Sequence, residues 1–346
     1  MRLGLVARCE VARGIALQSL NFYSHMPVDD VLLVRMPRPD CKEAPEWYPG
    51  ATHAAYDPIR HQLDEGLVRA WLHGLDVVFT VETPNDWRMP LWCREMGVKL
   101  VIQGNPEFVR HGREGFEHLA HPDQWWWPTK WRTDILPAGV HMPVPMPDTV
   151  PVERDDSDVP LRVLHVVGKR AYADRNGTEI LVSALRRVRR KMHVTIIGLD
   201  GELPKVQAGP SNRNLTVEYH PDGFDNHWDM YRNQDVLVTP RRYGGLQLPA
   251  LEAAACGLAV MMPDCSPNAE LASVLVPVRR QATLSLAAGP IRTAEVAPVD
   301  LSEHLDRLAW DRNGLLTAKN ASQALVPRWS MWRQRYLDRL QEVVSR

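Results

Sequence analysis

The chain has 346 residues, a formal net charge of −1 at pH 7 and 24% charged residues. Its length suits two domains better than a single core, and its balanced charge gives no overall bias towards polyanions. The 5 cysteines are widely spaced without a C-x-x-C pair, which indicates reduced thiols rather than a zinc site or a redox couple. No signal peptide and no membrane-spanning apolar run is predicted, so we expect a cytoplasmic protein without membrane insertion.

Strand and helix signals alternate in the first half of the chain, which predicts a parallel sheet with helices on both faces. Strands are predicted at residues 3–7, 31–35, 77–81 and 100–103, and helices near 14–25, 57–73 and 86–96. The run Trp125-Trp126-Trp127 is interpreted as a buried strand with one exposed ring, in preference to a platform that stacks a sugar or a base. One domain is predicted over residues 1–145.

Residues 137–160 are rich in proline and acidic side chains and lack periodicity, which is typical of an extended linker. We place the linker between the two domains at 146–160. It contains Asp156-Ser157-Asp158, a pair of carboxylates of the kind that can hold a divalent cation. A solvated linker is the favoured interpretation, because a cation site needs ligands that converge from a rigid frame. No metal ligand is therefore predicted.

A second alternation of strands and helices follows the linker and predicts another doubly wound sheet over residues 161–328. Strands are predicted at 163–167, 194–197, 215–217, 236–238 and 259–262. Residues 327–344 form an amphipathic pattern with aromatic and leucine residues on one side. We expect a C-terminal helix over 329–346.

The segment from Val236 to Asp264 predicts a strand, a glycine loop, a helix and a second strand. Gly244 and Gly245 form the loop, and Gly257 stands where a helix C-cap belongs, so the helix spans roughly 249–256. Its N-terminus points at the loop beside Arg241 and Arg242, which favours an anion. Glu252 is predicted in the first turn of the helix, where its carboxylate can accept two hydroxyl groups of a ribose. Phosphate and ribose together indicate a nucleotide.

This segment resembles the donor-binding signature of GT-B nucleotide-sugar glycosyltransferases, especially glycosyltransferase family 4. The stretch G-G-L-Q-L-P-A-L-E-A at 244–253 matches the loop and helix of the family. In the family, two glutamates contact the donor sugar and the ribose; the second matches Glu252, whereas the first falls on Gly244. The resemblance implies an α/β fold of two doubly wound Rossmann-like domains facing a cleft, with a C-terminal helix that packs back toward the first domain.

The resemblance also implies roles for other residues of the second domain. Cations that stabilise the leaving diphosphate fall on or beside the positions of Lys169, Arg170 and Arg175, and solvated loop charges are the less favoured alternative. His220 lies where the family cups the nucleobase. The predicted donor-binding residues are Gly168, Asn176, His220, Tyr243, Gly244, Gly245, Leu246 and Glu252.

The first domain is the acceptor domain if the resemblance holds, and loops that follow strands are the places to look. Glu82, Glu107 and His111 could each act as acid or base or bind a sugar hydroxyl, and each could equally be a structural cap. The predicted acceptor-binding residues are Arg13, Gly14, Glu82, Asn105 and Glu107.

We therefore expect an enzyme that moves a sugar from a nucleoside-diphosphate sugar, with UDP or GDP favoured, to a hydroxyl acceptor. The family is retaining and needs no metal, and no further cofactor is expected. The acceptor and the oligomeric state stay open. One alternative is a DNA glycosyltransferase that acts on a hydroxymethylated pyrimidine, with Trp125–Trp127 stacking the base beside the cations Arg8, Arg13, Arg110, His111 and Arg113. Others are a sugar-nucleotide epimerase and a non-catalytic nucleotide-binding or scaffold protein.

Overall fold

The computed structural model describes residues 1–11, 14–37, 42–107, 109, 121–134, 136–150, 160–168, 174–198, 214–221, 223–224, 226–286 and 289–346. The chain divides into two compact units. The first contains Met1–Pro145, Ala287–Gly289 and Pro327–Arg346, and the second contains Met146–Leu286 and Pro290–Val326.

The first unit is built on a parallel sheet of seven strands in the order β3-β2-β1-β4-β5-β6-β7. The strands are β1 Leu3–Ala7, β2 Asp30–Arg35, β3 Thr52–Ala55, β4 Val77–Glu82, β5 Lys99–Gly104, β6 Gln124–Trp127 and β7 Gly139–His141. The helices are α1 Gly14–His25, α2 Glu65–Leu72, α3 Met89–Glu95 and α8 Trp329–Val344. Two buried clusters cover the two faces, because alternate residues of a strand point to opposite sides.

The second unit has a parallel sheet of six strands in the order β10-β9-β8-β11-β12-β13 and a separate hairpin, β14-β15. The strands are β8 Leu161–Val166, β9 Met192–Ile197, β10 Leu215–His220, β11 Val236–Val238, β12 Ala259–Pro263, β13 Val274–Val276, β14 Val278–Leu286 and β15 Gly289–Val296. The helices are α4 Thr178–Leu185, α5 Leu248–Ala255, α6 Pro298–Trp310 and α7 Arg312–Leu325. A 3₁₀ helix spans His227–Tyr231 before β11.

The three tryptophans of β6 are all buried, so the prediction of one exposed ring is wrong. Trp125 and Trp127 stack with their centroids 5.2 Å apart, and each has at most 4% of its surface exposed. Gly104 and Gly139 leave the space for these rings, since a Cβ on Gly104 would lie 2.9 Å from both. A platform that stacks a sugar or a base on these residues is therefore excluded.

The prediction of a linker from residue 137 is also wrong in its first part. β7 adds a strand to the sheet within that stretch, and Met142, Val144 and Met146 are buried. The proline content of this stretch favoured the prediction of a linker, whereas β7 in fact pairs with β6. Residues 151–159, with the Asp156-Ser157-Asp158 pattern, lie outside the described residues.

A buried ion network fixes the amino ends of the strands in the second unit. The Asp235 carboxylate accepts from the backbone N–H of Arg162 at 2.9 Å and from Lys319 Nζ at 2.7 Å, and the Arg162 guanidinium contacts it at 3.2 Å. Burial alone would raise the pKa of Asp235, but the hydrogen bonds from Arg162 and Lys319 outweigh it and lower that pKa below its ordinary value. The network joins β8, the start of β11 and α7.

Two further findings concern the chain as a whole. Within the described ranges, no helix combines the length and the apolar character that crossing a bilayer requires. The cysteines Cys9, Cys93, Cys256 and Cys265 are not in disulfides, and all but Cys265 are buried.

Candidate functional site

The segment with the glycine loop folds as the predicted strand–loop–helix–strand unit. β11 and β12 pair in parallel with Val236 opposite Ala259, and α5 lies between them in the chain. Gly257 ends the helix with a φ of +80°, a left-handed conformation that glycine adopts without strain. Since ligands of such sheets collect beyond the carboxyl ends of the strands, the loop from Thr239 to Gln247 is the candidate site.

The guanidinium of Arg241 fills the space above Gly244. Arg241 is 3% exposed, and its Nε donates to the carbonyl of Tyr243 at 2.9 Å. Gly244 has a φ of +127°, and an ideal Cβ on it would overlap the guanidinium and lie 2.7 Å from its Cζ. Position 244 therefore carries a cation in place of the carboxylate that the family resemblance implies there. Arg242 instead pairs with Glu295 of β15 at 2.7 Å.

Gln247 is the N-cap residue of α5, and its side chain makes no capping hydrogen bond. The side chain is buried, and its Nε2 donates to Thr239 Oγ1 at 2.8 Å. Its Oε1 is buried and has no hydrogen-bond partner among the described residues. A buried carbonyl oxygen without a donor costs about 1–3 kcal/mol, so a ligand hydroxyl or amide group at this point would stabilise the site.

Glu252 is the fifth residue of α5, so it lies in the second turn and not in the predicted first turn. Its carboxylate is buried and accepts from Tyr231 Oη at 2.5 Å. His227 Nε2 lies 2.9 Å from the other carboxylate oxygen, at ion-pair distance but without hydrogen-bond alignment. A carboxylate has about four acceptor positions, so each oxygen retains room for one ligand hydroxyl.

The pKa values of His227 and Tyr231, the two partners of Glu252, reflect this arrangement. Burial lowers the pKa of His227, but the nearby Glu252 carboxylate, through its charge and as a hydrogen-bond acceptor together, outweighs burial, and the net direction is upward. Burial, with the charge of Glu252 as a smaller contribution, raises the pKa of Tyr231 well above its ordinary value. Tyr231 thus stays a hydrogen-bond donor that orients Glu252.

The loop before α4 differs from the loop before α5 in the charge that it places at the N-terminus of its helix. The Asp174 carboxylate accepts from the N–H groups of Thr178 at 2.8 Å and Glu179 at 3.0 Å, so a carboxylate of the protein already occupies this helix N-terminus. Asn176 Nδ2 donates to the carbonyl of Val166 at 2.9 Å and thereby fixes the end of β8.

The loop before α4 and the loop before α5 are joined through their backbones. Arg242 N–H donates to the carbonyl of Arg175 at 2.8 Å. Gly177, with a φ of +71°, packs so closely on Pro240 that an ideal Cβ would overlap the proline carbonyl. The predicted residues Gly168, Arg175 and Asn176 are therefore connected to the glycine loop, while Lys169 and Arg170 lie outside the described residues.

Buried His165 joins the end of β11 to the start of α4, a connection that the sequence interpretation missed. Its Nδ1 lies 2.8 Å from the carbonyl of Val238 and its Nε2 lies 2.9 Å from Thr178 Oγ1. Burial lowers the pKa of His165, which favours a neutral ring that donates through Nδ1 and accepts through Nε2. Most residues of β8 are apolar and buried, so the histidine is expected inside, but the identity of its partners depends on tertiary structure.

His220, the predicted neighbour of the nucleobase, ends β10 and stacks on Phe224 with a centroid distance of 4.5 Å. It lines a cavity of 440 Å³ with His193, Glu218, Arg232 and Gln234. Gly244 and Glu252 do not line that cavity. We place the candidate site at the glycine loop, because the buried cation and the helix N-terminus lie there.

In the first unit, the predicted acceptor residues of β4 and β5 come together. Glu82 has a φ of +64°, and its carboxylate accepts from Asn105 Nδ2 at 2.5 Å. Glu107 is buried, whereas a Cβ on Gly14 at the start of α1 would meet no atom within 4 Å. Arg8 forms a buried ion pair with Glu10 at 3.0 Å from Nε, so it is committed to a partner. Arg13, Arg110, His111 and Arg113 lie outside the described residues.

Sequence comparison relates the second unit to sugar transferases. Residues 162–288 match the family described as "Glycosyl transferases group 1". A D-inositol 3-phosphate glycosyltransferase of Arthrobacter sp. (strain FB24) is 27% identical over 179 residues. That match covers 48% of this chain and 39% of the relative, so it spans well under half of the curated protein.

Structure comparison extends the likeness to the whole chain. HepE of Anabaena, solved in complex with UDP and glucose, has a TM-score of 0.65 at 10% identity and covers 99% of this chain and 100% of its own. Sucrose-phosphate synthase of Thermosynechococcus elongatus has a TM-score of 0.64 at 14% identity, with 100% and 99% covered. At these identities the likeness concerns the fold.

The chain has the GT-B fold, with two Rossmann-like sheets flanked by helices. Its second unit carries the sequence features of group 1 glycosyl transferases. The predicted fold class is thereby confirmed, and these matches support the resemblance to GT-B glycosyltransferases and are consistent with family 4.

Proposed function

We propose that the protein transfers a sugar from a nucleoside-diphosphate sugar to a hydroxyl group of an acceptor. The observation that carries this proposal is the loop from Thr239 to Gln247, which sets a buried cation beside the N-terminus of α5 and leads to the oriented carboxylate of Glu252. A helix N-terminus and a guanidinium favour phosphate oxygens, and a buried carboxylate favours a vicinal diol.

Donor binding would use the two joined loops of the second unit. Glu252, held by Tyr231, would accept the hydroxyl groups of the ribose. Lys169, Arg170 and Arg175 would neutralise the diphosphate, which gains negative charge as the glycosidic bond breaks. His220 and Phe224 would lie near the base. UDP is the favoured nucleotide, because HepE, of the same fold, was solved with UDP.

We propose a retaining reaction without a metal ion, and this part of the proposal rests on the resemblance to family 4. Attack from the face of the departing diphosphate needs an acceptor hydroxyl held close to the anomeric carbon. The division into an acceptor domain at 1–145, a linker, a donor domain at 161–328 and a C-terminal helix belongs to the same proposal, as does activity in the cytoplasm.

The acceptor is proposed to be a small hydroxylated molecule such as a sugar or polyol. The named relative acts on D-inositol 3-phosphate by its description. On this chain, Glu82 and Asn105 form a hydrogen-bonded pair at the carboxyl ends of β4 and β5, where ligands of parallel sheets collect. Paired carboxylate and amide groups of this kind can bind hydroxyl groups.

The proposal is tested by titrating the purified protein with UDP, GDP and ADP and by following hydrolysis of their sugars in the presence and absence of EDTA. We expect one diphosphate to bind with at least tenfold preference and its sugar to be hydrolysed slowly at a rate that EDTA does not change. Binding without any turnover, on every acceptor tested, would support a scaffold protein instead. Loss of turnover in EDTA, restored by Mg²⁺ or Mn²⁺, would contradict the metal-independent mechanism.

A further inference from the structure

A run of basic residues joins the end of α4 to the start of β9 in the second unit. Its exposed side chains are Arg186, Arg187, Arg189, Arg190 and Lys191, which we call the basic patch. Five cations in six positions stand out in a chain whose formal net charge is −1. None of the five forms an ion pair with another residue of the described ranges, so no carboxylate in contact with them neutralises their charge.

Helix α6 fixes this turn and adds an exposed aromatic ring to it. The Asp306 carboxylate accepts from the backbone N–H groups of Arg189 at 2.9 Å and Arg190 at 3.0 Å, so the turn is held against α6. Trp310, the last residue of α6, is 70% exposed. The Arg190 guanidinium lies over the ring of Trp310, 4.4 Å from its centroid. The second unit therefore presents an indole ring side by side with several cations.

The acidic residues around the patch reduce its charge without cancelling it. Glu303, Asp306 and Asp311 lie in α6 or directly after it, and the exposed Arg307 precedes Trp310 by one turn on the same side of the helix. Residues 186–191 and 303–311 together contain six arginines and lysines against these three acids. The local charge is thus clearly positive, which favours an anionic partner.

We propose that the basic patch and Trp310 form a surface that docks on a membrane containing anionic lipids. Each lysine or arginine that approaches an anionic headgroup layer strengthens binding about fivefold. Tryptophan favours the boundary between headgroups and hydrocarbon, where its ring is in apolar surroundings and its N–H finds a polar partner. A charged and an apolar contribution together support peripheral binding, in which the chain lies on the membrane.

The docking surface lies at the opposite end of the sheet from the glycine loop. Lys191 directly precedes Met192, the first residue of β9, so the basic patch is at the amino ends of the strands. The loop from Thr239 to Gln247 instead follows the carboxyl end of β11. A chain docked through the basic patch leaves that loop uncovered. This inference therefore goes beyond the proposed function and does not depend on it.

A nucleic acid is the other polyanion that five cations could attract. Single-stranded nucleic acids bind to proteins largely by stacking their bases on the faces of aromatic rings. Arg190 already covers one face of the Trp310 indole. Contact with lipid headgroups needs no flat partner on the ring, so the position of Arg190 favours a lipid surface over a strand of bases.

The test measures binding of the whole chain to vesicles by co-sedimentation. Vesicles of phosphatidylcholine alone are compared with vesicles of phosphatidylcholine and phosphatidylglycerol in equal amounts. We expect at least about tenfold stronger binding to the anionic vesicles at about 0.05 M salt, and loss of most of it at about 0.5 M. The double variant Arg186→Gln, Arg187→Gln should weaken this binding at least about tenfold. Trp310→Ala should weaken it about threefold.

The matched control removes two exposed arginines from the hairpin of the same unit. The double variant Arg280→Gln, Arg292→Gln loses the same charge and should bind the anionic vesicles within about twofold of the wild type. A loss in this control as large as that in the patch variant would place the binding elsewhere and overturn the inference. Unchanged thermal unfolding, followed by circular dichroism, shows that each variant is folded.

Two further results would overturn the inference. Equal binding to both kinds of vesicle, or binding to neither, would leave the basic patch as a solvated face of the protein. Tighter binding of a single-stranded or duplex oligonucleotide than of the anionic vesicles, at the same salt concentration and with the same loss in Arg186→Gln, Arg187→Gln, would assign the patch to a nucleic acid.

Discussion

The two ends of the sheet in the second unit are built in opposite ways. At the amino ends, the Asp235 carboxylate is matched by Arg162 and Lys319, and all three side chains are buried or nearly so. At the carboxyl ends, the buried Gln247 Oε1 is without a hydrogen-bond partner among the described residues. Charges that satisfy one another stabilise the fold, whereas polar groups left open are available to a ligand.

The contrast implies that substitutions at one end change stability and substitutions at the other change binding. Each of the following variants should therefore be examined twice, by urea denaturation and by calorimetry with the nucleoside diphosphate that binds. A variant that moves both quantities to a similar extent would break the contrast.

The largest effect is expected from Asp235→Ala. Removing this carboxylate leaves the cations of Arg162 and Lys319 buried without their partner, which should lower the free energy of unfolding by about 3–5 kcal/mol. Nucleotide affinity of the folded protein should stay the same. Because the pKa of Asp235 is lowered from 3.8, the wild-type contribution is complete above that pH and is lost as the pH falls through the lower folded-state pKa.

Asp229→Ala is the matched control. Asp229 pairs with Arg232 at 3.1 Å, but both side chains are about a third or more exposed, at 35% and 48%. Solvent screens such a pair, so we expect a loss of about 0–1 kcal/mol. A loss as large as that of Asp235→Ala would show that burial does not set the difference.

Glu252→Ala should give the largest effect at the carboxyl ends. Loss of charged hydrogen bonds to the ribose should weaken nucleotide binding by about 1.5–3 kcal/mol. Glu179→Ala, an exposed glutamate of α4 in the same unit, is the control and should leave affinity unchanged. Undiminished affinity of Glu252→Ala, measured by calorimetry, would remove the proposed ribose contact.

Asp174→Ala tests an exception to the contrast, because at this point of the carboxyl ends the protein supplies its own carboxylate to a helix N-terminus. The variant loses two hydrogen bonds to the first turn of α4, at 2.8 and 3.0 Å, and should lower the free energy of unfolding by about 1 kcal/mol. Nucleotide affinity should not fall. A marked loss of affinity would mean that Asp174 orients the phosphate-binding loop rather than α4 alone.

The smallest effect is expected from the pH dependence of His227. Its folded-state pKa lies above the ordinary 6.5, so protonation of this ring stabilises the fold. That contribution is complete below pH 6.5 and is lost as the pH rises through the folded-state pKa. The difference in unfolding free energy between the wild type and His227→Gln should therefore shrink with rising pH. A difference that is constant from pH 5 to 9 would contradict a charged His227 beside Glu252.

The sequence predicts local structure at the candidate site closely. β11 is predicted to the residue, α5 within one residue of each end, and Gly257 at the helix end, because β-branched runs, proline and glycine act over a few positions. The ion network of Asp235 and Lys319 was not foreseen, since the two residues are 84 positions apart. The bond between Tyr231 and Glu252 depends in the same way on tertiary packing.

The errors have physical causes as well. A run of three tryptophans suggests an exposed ring, but the small residues Gly104 and Gly139 leave space for the rings inside the unit, and Gly104 lies 23 positions before Trp127. The replacement of a carboxylate by glycine at 244 is visible in the sequence. That Arg241 occupies the vacated space is a matter of three-dimensional packing and became visible only in the structure.

The 2.8 Å bond from Arg242 N–H to the carbonyl of Arg175 limits how this chain can evolve or be redesigned. It joins two loops through residues that are 67 positions apart in the sequence. Gly177 also packs closely on Pro240, so there is no space between the loops at that point. Inserting or deleting a residue in one loop would break these contacts unless the other loop changed as well. Under the proposed function, donor preference can therefore change by side-chain replacement at constant loop length, and a mutant library that seeks a new donor should vary positions 241, 244 and 247 while keeping both loop lengths.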